Sequence, residues 1–289
     1  MHAARLLQEY EAGRRNFNNI NLEGADLSNV TLIGVTFHNA HLRGVNFQRA
    51  FLTNADFSGA TLQWANFRYA KLSQSDFSDA DLTKANLEGA FMVASRWSNT
   101  RLTGANLSHA NLRKAHLPNA NLCGAMLRRA NLRQANLSNT NLNWANFSEA
   151  RLIHAQLRGA TLHEVNFSQA LLQQLDLGGT DLEGGNFQGA WLIQANLLGA
   201  NCRAANLQDA DLKRANLRQV NFTGANLCGA NLAQANLTGA ILRRAELDAV
   251  NWTDAIAEQV IWDSPNDYQA QVSSMSLFAD DSPLAWVMS

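Results

Sequence analysis

The chain has 289 residues, with 23 Lys or Arg set against 24 Asp or Glu for a formal net charge of −1. That length is enough for one or two globular domains. No stretch is long and apolar enough to cross a membrane, and three cysteines do not suggest a disulfide framework.

Residues 3 to 12, Ala-Ala-Arg-Leu-Leu-Gln-Glu-Tyr-Glu-Ala, have good helix propensity and place Leu6, Leu7 and Tyr10 on one face. Gly13 stands where a helix C-cap is expected. The charged residues Arg5, Glu9, Glu11, Arg14 and Arg15 leave no apolar run long enough for a secretory leader.

From Phe17 to Trp252 an apolar residue recurs every fifth position, without an insertion or a deletion, which makes 48 centres. Of these centres 34 are Leu and 10 are Phe; the exceptions are Met92, Trp97, Cys202 and Trp252. Two positions before the centre, 33 of 48 residues are Ala, and one position before it 23 are Asn and 7 are Asp. A period of five suits neither common element. On an α-helix five residues advance about 500°, which scatters the centres around the axis. On a straight strand an odd period sends successive centres to opposite faces. The chain must therefore turn every five residues, and Gly at 15 of the positions two after the centre, such as Gly24, Gly104 and Gly239, supplies positive φ for the turn.

The pattern resembles the pentapeptide-repeat family, whose unit reads Ala-Asp/Asn-Leu-x-x; Ala25-Asp26-Leu27-Ser28-Asn29 and Ala235-Asn236-Leu237-Thr238-Gly239 are typical units here. The opening Gly13-Arg14-Arg15-Asn16-Phe17 followed by Ile20-Asn21-Leu22 is similar to that of cyanobacterial members, the regulator of heterocyst differentiation among them. The resemblance implies an all-β fold, a right-handed quadrilateral β-helix with four pentapeptides per coil. Twelve coils at a spacing of about 4.8 Å would form a rod roughly 55 to 60 Å long. The expected organisation is an N-terminal helical cap over 1–14, the β-helix over 15–255, and a closing segment with an acidic tail over 256–289. That tail has no Lys or Arg and carries Met275, Leu277, Phe278, Leu284, Trp286 and Val287. Cys202 is a centre and so inward, while Cys123 and Cys228 lie about five coils, roughly 25 Å, apart. A reducing cytoplasm is the simplest compartment for unpaired thiols.

No catalytic constellation is present, so the chain reads as a non-enzyme with no cofactor. Six histidines, His38, His41, His109, His116, His154 and His163, point outward with no Cys or carboxylate at metal-ligand spacing. The run from Gly178-Gly179 to Gly184-Gly185 falls largely in turn register, with no strand-to-helix switch to make a phosphate loop. Asp76, Asp79 and Asp81 suggest a cation site, yet Asp56, Asp76, Arg96 and His116 share one column, so charge compensation along a face is the better reading.

Residues 20 apart stack, so the outward residues can be sorted by face. The face centred on 27, 47 and 67 carries an Asn at nearly every coil and reads as a stacked amide ladder. The face centred on 32, 52 and 72 differs: one of its columns has Phe51, Phe91, Leu171 and Trp191, and the next has Ile33, Val93, Ile153 and Ile193. Arg113, Lys114 and Arg133 lie between the two apolar clusters. Contiguous apolar residues flanked by Arg fit an interface with a protein partner or a second copy of the chain.

The resemblance also brings a second class, the gyrase-directed rods whose acidic surface imitates duplex DNA. Here residues 15–255 hold 21 basic and 17 acidic residues, the wrong sign for a duplex mimic. Direct nucleic-acid binding is disfavoured as well, because the basic residues are spread over several faces without an aromatic stacking stripe. The expected function is a cytoplasmic, non-enzymatic interaction rod with a regulatory role; the alternative is a topoisomerase modulator that mimics DNA.

Overall fold

A computed structural model of the chain describes residues 2–263. Its N-terminal element is α1 (Ala3–Glu11), which buries Leu6 completely and packs Ala3, Leu7 and Tyr10 against the same core. The helix ends where the Gly13 backbone turns to a φ of +97°. Two contacts tie it to the coils: the Tyr10 hydroxyl donates to the Ile33 carbonyl at 3.1 Å, and the Arg15 guanidinium lies 3.8 Å from the Tyr10 ring centroid.

Every later segment repeats one backbone unit, and the hydrogen bonds of the unit around Phe57 show why the sequence takes it. The Phe57 N–H donates to Asp76 of the next coil at 2.7 Å, the Asp56 N–H donates back to Val35 at 2.9 Å, and the Gly59 N–H donates forward to Ser78 at 2.9 Å. The Ala60 N–H closes the turn on the Phe57 carbonyl at 3.0 Å. One donor is left, the N–H of Ser58, and the Asp56 carboxylate accepts it at 2.8 Å. A buried or crowded amide without a partner is costly, so Asn or Asp before the centre completes the pairing of each unit as an Asx turn.

The units pair in parallel with those 20 residues on, in four columns that begin at Asn16, Asn21, Asp26 and Thr31 and run to bridges such as Asn236↔Ile256 and Ile241↔Ile261. The result is a four-sided β-helix in which each side is too short to form a strand of several residues. Centres and their small neighbours point inward; Leu27, Phe57, Leu132 and Ala135 are all at zero exposure. Inside one side, Phe57 stacks on Phe77 at 4.9 Å and Phe77 on Trp97 at 4.2 Å; inside another, Phe147 stacks on Phe167 at 5.1 Å.

Every corner residue from Asn19 to Gln259 has positive φ, whether it is Gly or not. Trp64, Tyr69 and Trp144 hold φ values of +63°, +56° and +58°. A side chain in this region costs about 1 to 2 kcal/mol, an amount the continuous ladder offsets. On the Asn-rich face the Asn66 amide donates to the Asn46 side-chain oxygen and the Asn46 amide to the Asp26 carboxylate, each at 2.9 Å. From Asn86 onward the recurring bond is the local Asx turn, as at Asn106 with the Ser108 N–H and Asn166 with the Ser168 N–H. The two bonds are compatible, since Asp26 and Asn46 each accept the local turn N–H with the same oxygen as well.

The ladder is interrupted once. The bridges Gln156 to Asp176 and Thr161 to Asp181 are absent from a series otherwise continuous among the described residues. This coil contains Leu175, the one Leu at a position where Ala is the rule. Its bulk, stacked between Ala155 and Ala195, separates the coils, and Ala155 and Ala160 are correspondingly less buried than their counterparts.

Candidate partner-binding face

The side of the β-helix centred on Leu32, Leu52 and Leu72 presents three outward columns, and all ten candidate interface residues lie on it. Phe51, Phe91 and Trp191 are between 42% and 48% exposed. Arg113, Lys114 and Arg133 are exposed, and Val93, Ile153, Leu171 and Ile193 are half-buried. The backbone pairing runs unbroken down this side from Thr31 through Phe51, Lys71, Phe91, Asn111, Asn131, Arg151 and Leu171 to Trp191. The break beside Leu175 leaves these bridges in place, although the His154 N–H lacks the bond to the next coil that Lys114 makes to Arg133 and Gln134 to Ile153.

Two apolar clusters flank a cationic centre. At one end the Lys71 ammonium sits 3.4 Å from the Phe91 ring centroid, a cation–π contact that holds the ring in place. At the other end Leu171 and Trp191 are directly paired neighbours beside Ile153 and Ile193. Between them Val93, Asn111, Arg113, Asn131, Arg133 and His154 help to line an open groove of about 490 Å³. Arg151, not anticipated as part of the site, occupies the paired column between Asn131 and Leu171 and is exposed.

The electrostatics of this side are one-sided. From Thr31 to Gln194 its three outward columns contain no Asp or Glu. Among the described residues no ion pair involves Arg113, Lys114, Arg133 or Arg151, whereas elsewhere Arg96 pairs with Asp76 at 2.9 Å and Arg128 with Glu149 at 2.7 Å. Asp76 and Asp81 are accounted for in that way, and Asp79 accepts from the Asn99 amide at 3.0 Å. Burial works to raise the Asp76 carboxyl, but bonds from Ser78 and Arg96 hold it below the usual carboxylate range, and Arg101 lies 3.9 Å from Asp81.

Sequence reasoning missed the exposed corner aromatics Trp64 and Trp144, which share one column, and Tyr69 at the next corner. The Lys84 ammonium lies 4.7 Å from Trp64, and His163 meets Trp144 edge-on at 5.8 Å. Their signal was legible: a Trp where the corner chemistry favours Gly. Cys202 is fully buried, and burial pushes its thiol up to about 12, so it is inert as a nucleophile. Cys123 and Cys228 are free thiols. Among the described residues no His, Cys, Asp and Glu cluster could hold a metal, and no helix is long and apolar enough to cross a membrane.

Several known proteins are similar to this chain. The family model described as pentapeptide repeats (8 copies) matches segments between residues 20 and 96 and between 186 and 255, and the model described as pentapeptide repeat region matches 90–167 and 110–187. HetL, a pentapeptide repeat protein involved in heterocyst differentiation regulation from the cyanobacterium Nostoc sp. strain PCC 7120, is 30% identical over 90% of this chain and 94% of its own, with a TM-score of 0.25. Rfr23 from the cyanobacterium Cyanothece 51142 is 26% identical over 51% of this chain and 91% of its own, with a TM-score of 0.18. QnrB1, a plasmid-mediated fluoroquinolone resistance protein, is 17% identical over 89% of this chain and 95% of its own, with a TM-score of 0.26. No curated protein matches the chain. With repeat models covering the coils almost end to end, and a four-column pairing with a 20-residue step, the chain belongs to the pentapeptide-repeat family and folds as a right-handed β-helix solenoid.

Proposed function

We propose that this protein is a non-enzymatic, cytoplasmic interaction rod of about twelve coils, capped by α1 and closed by the segment after residue 255. A protein partner, or a second copy of the chain, docks on the side that carries Phe91, Arg113, Arg133 and Trp191. The observation that carries this reading is the composition of that side: apolar clusters, and cations without an ion pair among the described residues, on a surface without a carboxylate from Thr31 to Gln194. Unpaired Arg beside exposed aromatic rings is the composition of interface hot spots. A regulatory role is supported by the likeness to HetL.

The double substitution Trp191→Asp with Leu171→Asp tests the reading. Both side chains project outward, so the β-sheet signal and the melting temperature stay nearly unchanged. Binding, measured as partner capture or as self-association, falls at least tenfold, about 1.4 kcal/mol. The control Ser148→Asp with Ser168→Asp on the Asn-rich side leaves binding intact. Equal binding by the two double variants would place the interface elsewhere.

A further inference from the structure

The cationic side has a complement within the same chain. Residues 264–289 lie outside the described structure, and their sequence contains no Lys or Arg. It reads Leu277-Phe278, then Asp280-Asp281, then Leu284 and Trp286: an apolar pair, two carboxylates, an apolar pair. The face has the same order along the rod, with Leu171 and Trp191, then Arg151, Arg133 and Arg113, then Val93 and Phe91.

The spacings agree as well as the order. Five coils separate Trp191 from Phe91, roughly 24 Å at about 4.8 Å per coil. Eight residues separate Phe278 from Trp286, about 26 Å of extended chain. Asp280 and Asp281 then fall about 7 and 10 Å along, beside Arg151, about 10 Å from Trp191, and within side-chain reach of Arg133, about 14 Å from it. Reach is no obstacle. Residue 263 is about three and a half coils beyond Trp191, roughly 17 Å along the axis, and the 13 residues from 264 to 276 can span about 43 Å.

We propose that the segment 277–286 docks in cis on the side formed by Trp191, Leu171, Arg133, Arg113 and Phe91, running toward the N-terminal end of the rod. This inference rests on the reading of that side as an interface, and it makes the C-terminal segment a built-in competitor for the protein partner. Partner binding then requires displacement of the tail. An acidic segment with flanking apolar anchors is also the chemistry expected of the displacing partner, because both must satisfy the same cations.

The test uses the full-length chain with Phe278→p-benzoylphenylalanine, irradiated and digested with trypsin. The stretch 159–203 contains no internal Lys or Arg, so Leu171, Trp191 and Ile193 fall in one fragment. The expected product is an intramolecular cross-link to that fragment. Arg151→Glu with Arg133→Glu lowers its yield at least about fivefold, the scale of one or two exposed ion pairs. Adding Asp280→Arg with Asp281→Arg restores it.

A cross-link absent from 159–203, or a yield the charge swap fails to restore, overturns the inference. A link formed only between isotopically distinct molecules overturns docking in cis and assigns the tail to a second copy. The interface reading fails separately, if Trp191→Asp with Leu171→Asp leaves partner capture unchanged while the cross-link forms. If capture is lost and no cross-link forms, the tail inference alone fails.

Discussion

Trp97 shows what one residue asks of its neighbours. It replaces the Leu or Phe of an ordinary centre and is fully buried, so its indole N–H needs an acceptor inside the core. Ser95 supplies one at 2.6 Å, and its own hydroxyl donates to the Met92 carbonyl at 2.6 Å. The Ser thus stands where Ala is the rule because a Trp stands two positions on. Ser75 and Thr100 satisfy themselves in another way, on the carbonyls of Leu52 and Phe77, both at 2.8 Å. Replacing Ser95 by Ala strands the Trp97 donor and costs about 1 to 3 kcal/mol, read as a lower denaturant midpoint. Adding Trp97→Phe removes the donor and recovers part of the loss. A Ser95→Ala protein as stable as the parent would show that the indole bond contributes nothing. In the sequence Ser95 is only one of the positions without the usual Ala; its acceptor role needed the distance.

At the scale of the element, each interior coil is held by backbone bonds to the coils on either side, and among the described interior coils several of these bonds are missing beside Leu175. Local opening is easiest where such bonds are missing. Amide exchange at Leu157 and Leu162, which lack the inter-coil bond that Leu137 makes to Gln156 and Leu142 makes to Thr161, is expected to be at least about tenfold faster than at those two residues. Leu175→Ala should narrow the difference by letting the coils close. Uniform protection across the four amides would exclude Leu175 as the cause of the gap. Leu175 occupies a position where Ala is the rule, which the sequence reading did not single out, and the opening spreads over two sides and reaches Thr180 and Asp181. Residue size alone does not say whether a stack absorbs a bulky side chain or parts around it.

For the whole molecule, the distribution of charge separates interaction rods from duplex mimics. Residues 91–160 hold nine Lys or Arg against the single acid Glu149, and Glu149 is itself engaged by Arg128 and Arg129. A surface that competes for a DNA-binding groove needs a dense negative field, and this rod has the opposite sign along its middle. Purified protein is therefore expected to leave gyrase supercoiling unchanged at equimolar concentration. Inhibition that weakens as salt rises would promote the mimic.

The amino-acid sequence by itself determined the coil. A five-residue period, Ala and Leu inward, Asn or Asp beside them and Gly at many corners admit one repeating backbone, because each unit meets only its counterparts one coil away and local chemistry is also global chemistry. Since the period assigns every residue to a column, the candidate face was legible too, down to Phe91, Arg113 and Trp191. Tertiary structure decided what depends on distance between columns. It decided which cations find a carboxylate among the described residues: Arg96 and Arg128 do, Arg113 and Arg133 do not. It decided where Trp97 places its proton, how Trp64 and Trp144 sit exposed at a strained corner, and where the bulk of Leu175 opens the ladder. A period sets direction, but pairing and packing are settled by a few ångströms that only the assembled coils define.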